Sequence, residues 1–219
     1  MCIMADWHTF RTKFLIVFCL IAQLAAEYPL FAMSKIIVVP TARTIGAGNY
    51  QVDLTHKEPL LDASTLTLDF SAKVGLGERC QMETKVQMSG GNNQVLWYGK
   101  YTFAVEHGGL TTAAIGIENV SPGSQATPYI VSSHLFKPVD LSAGIAMGVN
   151  AAVRYFTGAD YQISKKLHIL GDYNTGNTTY ASMGFQYEFS HIWSMKSGLE
   201  ANRGAASDVM IKIAYSNNY

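Results

Sequence analysis

Charge is scarce in this chain, and what there is cancels. Only 15% of the 219 residues are charged, against roughly 25% in an ordinary soluble domain. The 16 basic residues are matched by 16 acidic ones, so there is no basic excess to hold nucleic acid. Cysteine is nearly absent too. Cys2 and Cys19 fall in the leader described below, which leaves Cys80 alone. Neither an internal disulfide nor a thiol metal framework can be built from one cysteine. Cys80 lies in register with Met82, Val86 and Met88, as a small apolar wall residue would. There is almost no helical period after residue 50, no P-loop, and no GxGxxG in a dinucleotide context. No cofactor is expected.

What the chain does have is an alternation that runs from about residue 50 to its end. Leu66, Leu68, Phe70, Ala72 and Val74 fall on one face of a strand, and Thr65, Thr67, Asp69, Ser71 and Lys73 on the other. Successive strand side chains point to opposite faces, so this spelling is a ribbon with one apolar and one hydrophilic surface. Segments of this kind recur, separated by Gly, Asn, Ser or Asp turns such as Ser89-Gly90-Gly91-Asn92-Asn93 and His107-Gly108-Gly109, which supply the positive φ that tight hairpins need. The count is about twelve strands, or ten if the stretch from Ala151 to Tyr173 holds fewer than read.

The start of the chain reads as a secretory leader. Arg11 and Lys13 precede the apolar run Phe14–Ala26, Pro29 ends it, and Leu30-Phe31-Ala32 offers a small residue at a cleavage point, with Ala26 as the alternative. A run of about thirteen apolar residues has signal-peptide length and is short for a membrane-spanning helix. The expected organisation is a signal peptide over 1–32, an extended periplasmic lead-in over 33–48 interrupted by Pro40 and its glycines, and a β-barrel over 49–219.

Three arrangements fit an all-β alternation, and the low charge favours one. A soluble barrel turns its apolar face inward and spends charge on its exterior. A membrane barrel turns Leu66, Leu68, Phe70, Val209, Ile211 and Ile213 toward lipid, closes every backbone hydrogen bond as hydrocarbon demands, and keeps Asp53, Asp69, Lys73, Glu83, Lys85, Lys100, Glu118, Lys196, Glu200 and Lys212 inside. Aromatic residues near strand ends (Tyr50, Tyr101, Tyr129, Tyr173, Phe189, Trp193 and Tyr215) suit interfacial girdles. On the inner side of one strand, Ser142, Gly144, Ala146 and Gly148 are small, which implies close packing or room for a loop.

The C-terminus adds a more specific sign. Tyr219, Tyr215, Ile213, Ile211 and Val209 alternate back from the last residue, with Asn217 departing from the pattern. This resembles the closing-strand signal read by the barrel-assembly machinery of bacterial outer-membrane proteins. Pro40-Thr41-Ala42 followed by Gly48-Asn49-Tyr50 is similar to the entry of YjbH-type exopolysaccharide-associated barrels. The resemblance implies a closed antiparallel transmembrane β-barrel in the outer membrane, with an even strand count and both termini on the periplasmic side. Its partners would be outer-membrane lipids, the assembly machinery and a small solute. It carries no catalytic residue with it.

The residues themselves offer little catalysis. The histidines after the leader are His56, His107, His134, His168 and His191. In Ser132-Ser133-His134, adjacent residues face opposite ways and Ser132 lies about 6.5 Å from His134 along a strand, too far for a hydrogen bond. Asp160, Asp172 and His168 fall on neighbouring strands, where pairing with Arg154 or Lys166 accounts for the acids. Asn119 and Asn177 begin glycosylation sequons that mean little in a bacterial chain. The expectation is a narrow channel or structural envelope barrel, not an enzyme. Its candidate pore-lining residues are Lys73, Glu83, Lys85, Lys100, Glu118, Arg154, Lys196 and Glu200. An outer-membrane hydrolase of lipid or peptide, with His134 or His168 as base, and a soluble periplasmic barrel binding an apolar ligand are the alternatives.

Overall fold

The computed structural model describes residues 36–60, 66–90, 92–106, 110–123, 125–148, 153–175, 180–202 and 206–218. The leader and Tyr219 lie outside them. Twelve strands follow one another: β1 (Asn49–Pro59), β2 (Thr67–Gly75), β3 (Cys80–Ser89), β4 (Asn92–Glu106), β5 (Thr111–Val120), β6 (Thr127–Phe136), β7 (Val139–Ala146), β8 (Arg154–Gln162), β9 (Leu167–Asn174), β10 (Tyr180–Glu188), β11 (Trp193–Asn202) and β12 (Asp208–Asn218). Each pairs antiparallel with its sequence neighbours, and β1 pairs with β12 from Asn49↔Asn218 to Pro59↔Asp208, which closes the barrel. Closure removes both sheet edges, so the ladder leaves no unpaired strand for hydrocarbon to meet. No described helix is long and apolar enough to cross a membrane.

The two ends of the barrel differ. At the end that carries Asn49 and Asn218, the connections are short (76–79, 107–110, 137–138, 163–166 and 189–192). At the other end they are longer (60–66, 121–126, 147–153, 175–179 and 203–207), apart from the tight 90–91 hairpin. Outer-membrane barrels show this asymmetry, with short turns on the periplasmic side.

Sidedness follows the alternation. Phe70, Trp97, Ile115, Ile130, Leu199 and Ile213 are exposed on the outside, while Asp53, Lys73, Glu83, Lys100 and Glu200 are buried inside. The soluble alternative needs the apolar rows inside, and they face out. The longest strand, β4, keeps its outward row despite register shifts against β5 at Trp97/Gly99 and Thr102/Ala104. Part of an aromatic girdle forms at the end carrying Asn49 and Asn218. There Trp193 packs edge-on against Tyr215 at 5.0 Å between ring centroids, and Tyr50 lies 6.1 Å from Tyr215 on the other side. Asn217, the departure from the terminal pattern, donates a hydrogen bond to the Tyr215 hydroxyl at 3.0 Å.

One strand departs from the expected faces. Tyr129 and Val131 of β6 point into the barrel, while Ile130 points out. This strand is apolar on both sides, so its period alone did not reveal which set meets lipid. The reason for an apolar inner set lies in what fills the lumen.

Candidate functional site in the barrel lumen

Of the lead-in expected outside the barrel, residues 36–42 lie in its interior. Ile36, Ile37, Val39, Thr41 and Ala42 are all buried. Val39 and Ala42 pack with Ala114, Tyr129, Val131, Ala146 and Phe156 of β5–β8, and Ile36 and Ile37 with Leu170 of β9 and Met210 of β12. The inner wall makes room by being small. A Cβ on Gly158 would stand 2.5 Å from the Ile36 Cδ1, and one on Gly75 would overlap the Gly46 carbonyl at the rim. The small residues that implied close packing or room for a loop include Ser142 and Ala146, both buried on this wall.

Polar wall side chains take up the segment's main-chain groups. The Asp172 Oδ2 accepts from three consecutive amides, those of Ile37, Val38 and Val39, at 3.0, 2.8 and 3.2 Å. The Ala42 amide donates to Ser133 Oγ at 2.8 Å, and the Thr102 hydroxyl donates to the Ala42 carbonyl at 2.8 Å. Lys196 Nζ donates to the Ile36 carbonyl at 2.6 Å, and Lys100 Nζ to the carbonyls of Thr41 and Arg43. Buried backbone groups must be paired somewhere, and here the barrel wall does the pairing.

Across the lumen the wall is ionic. Asp53 is fully buried and accepts from Lys73 at 2.7 Å and Lys212 at 3.3 Å, with Ser71 and Gln51 completing its shell. Lys57 bridges Glu200 at 2.7 Å and Asp208 at 3.2 Å, and Lys85 pairs with Asp69 at 2.6 Å. All eight candidate pore residues lie on the inner side, but they are not one group. Lys73, Lys85, Glu83 and Glu200 belong to the ionic arc formed by β11, β12 and β1–β3. Lys100 and Lys196 hold the lead-in. Glu118 and Arg154 sit 3.7 Å apart across the small-residue side. Asp172 and Ser133, weighed in the sequence only for catalysis, serve here as anchors of the lead-in, a role that nothing local in the sequence marks.

The catalytic alternatives can be checked atom by atom. Ser132 and His134 face outward and are engaged separately, with the Ser132 hydroxyl donating to the Thr112 carbonyl and His134 Nδ1 hydrogen-bonded to the Thr111 hydroxyl at 2.7 Å. Ser133 faces inward against Ser142 Oγ at 2.7 Å. His168 Nδ1 does meet Asp160 at 2.8 Å, an orienting contact of the kind a catalytic base uses. The ring is only 4% exposed, and its Nε2 has no hydrogen-bond partner among the described residues. The acids also take partners other than Arg154 and Lys166: Asp160 takes His168, and Asp172 takes the lead-in amides.

Outward apolar rows, a closed ladder and a polar interior define an outer-membrane β-barrel protein. No family model matches the chain, and no curated protein matches it. Solved structures do. The KdgM porin superposes with a TM-score of 0.66 at 11% identity, covering 77% of this chain and 99% of the porin. The NanC porin gives 0.59 at 10% identity, covering 78% and 99%. Omp33 of Acinetobacter baumannii gives 0.54 at 6% identity, covering 78% and 98%. At such identities the likeness is one of fold: a closed barrel shared with outer-membrane porins.

Proposed function

We propose that this protein is a narrow, weakly selective channel of the bacterial outer membrane, passing small solutes along the ionic arc of its lumen. The observation that carries this reading is the mixed-sign inner wall of β11, β12 and β1–β3. Polar, mixed-sign walls are what outer-membrane barrels place around a solute path, and Asp53, Lys73, Glu83 and Glu200 gather on one side of this interior, paired with neighbouring charges. Lys73, Glu83, Lys85, Lys100, Glu118, Arg154, Lys196 and Glu200 would line or border that path. Because acid and base alternate there, selectivity by charge is weak. A KdgM porin has been solved in complex with disordered oligogalacturonate. The wall here is not of one sign, so an anionic polymer is not its expected cargo.

Reconstitution in a planar bilayer tests the reading. Discrete conductance steps are expected, with a reversal potential near zero in a salt gradient and a shift toward cations for Lys85→Glu. A folded, heat-modifiable barrel that gives no steps, with or without the lead-in, would leave a structural envelope role in its place. The hydrolase alternative rests on the His168–Asp160 contact, and lipid or peptide hydrolysis abolished by His168→Ala would establish it.

A further inference from the structure

We infer that the segment Ile36–Thr44 is a removable plug and that Asp172 is the latch that seats it. The inference rests on the channel reading above, since the plug sets how much of that path is open. The latch is one carboxylate oxygen shared by three successive main-chain amides. Consecutive N–H groups converging on an anion form a nest, and hydrogen bonds to an ionised acceptor are the strong ones. The other oxygen, Oδ1, is buried with no hydrogen-bond partner among the described residues. The carboxylate is thus satisfied chiefly by the plug.

The remaining contacts show how the segment is held. Besides an isolated bridge at Pro40 and the turn from the Ile36 amide to the Val39 carbonyl, main-chain groups of the segment bond wall side chains: Asp172, Ser133, Thr102, Lys100 and Lys196. A thirteenth strand would be laced into a ladder and could leave only with the sheet. A segment bound by side chains can leave while β1–β12 stay closed. The seat is shaped for it, because Gly158 leaves room for Ile36, whose Cδ1 a Cβ at 158 would displace. Asp172 neighbours Gly158 in the register between β8 and β9, so charge and shape act at one place.

The test uses the full chain with Cys80→Ala and Val39→Cys, refolded and checked by its heat-dependent gel shift. A water-soluble maleimide reports seating, with mass mapping to position 39, and bilayer conductance reports opening. Val39 is 1% exposed, so slow labelling is expected in the parent. Asp172→Leu should raise the labelling rate by about tenfold or more, as expected when several charge-assisted hydrogen bonds are lost from a local opening equilibrium, and conductance should rise with it. Asp172→Asn, which keeps the shape, should fall between. Gly158→Leu should repeat the Asp172→Leu result while the carboxylate and its charge are kept. Fast labelling of the folded parent, or slow labelling in both Asp172→Leu and Gly158→Leu, would overturn the latch. Faster labelling with no conductance in any variant would uphold the latch and overturn the channel. Conductance that is the same in every variant while labelling stays slow would do the reverse.

Discussion

The two sides of the lumen solve the same problem in opposite ways. Both are inner walls of one barrel, and both are closed to lipid. The arc of β11, β12 and β1–β3 carries acids and bases that satisfy one another, with Asp53 between Lys73 and Lys212 as its centre. The arc of β5–β9 carries Ala114, Val131, Ser142, Ala146, Gly158 and Leu170, and it is satisfied by a piece of the chain laid against it. A polar lumen is the default for a barrel in a membrane because water can enter it. Where the wall turns apolar, something apolar must cover it. The difference teaches that an inner wall can be read for its contents: ionic surface pairs with itself, and small apolar surface faces an occupant.

Mutations sharpen the contrast in order of expected effect. Asp53→Leu strands two cations that share one carboxylate in a buried setting, and such a loss costs about 3–5 kcal/mol. Guanidinium unfolding of the barrel in detergent should show it, and a loss below about 1 kcal/mol would mean that the ionic arc is solvated like an ordinary surface. Ile36→Ala removes a packed side chain worth about 2 kcal/mol or more, but the effect should stay local. The plug can detach, so the unfolding midpoint should hardly move while amide exchange at Val39 accelerates. A large drop in global stability would show that the two arcs are one cooperative core. His56→Ala provides the low end. Its contact with Glu58 at 3.3 Å lies at an exposed strand end, where such pairs contribute about 0–1 kcal/mol, and the heat-shift temperature should stay within error.

Much of this was legible from residue order. Strand after strand, Phe70 against Asp69 or Leu141 against Ser142 revealed both the element and its sidedness, since period two leaves no other regular structure. The even count and the closing strand followed. Residues 154–174, where the lower count was the alternative, form β8 and β9 around the turn at 163–166. The lumen's contents were not legible. Ile36, Ile37, Val38 and Val39 look like any extended apolar stretch, and the wall that receives them is scattered over β4 to β12. Two hints were present: the run of small inner residues on β7, and a β6 with apolar residues on both faces. The first implied close packing or room for a loop, and the segment packed against it is the lead-in.

By itself, then, the sequence determined the strands, a count of about twelve and, outside β6, the face turned to lipid, because these depend on residues two positions apart. Only the tertiary structure decided what lies inside. The amides of Ile37 and Val39 reach a carboxylate more than 130 residues away, and Asp172 becomes their partner only once closure of the barrel sets β9 across from the lead-in. Contacts at that separation are created by topology, and no local period records them.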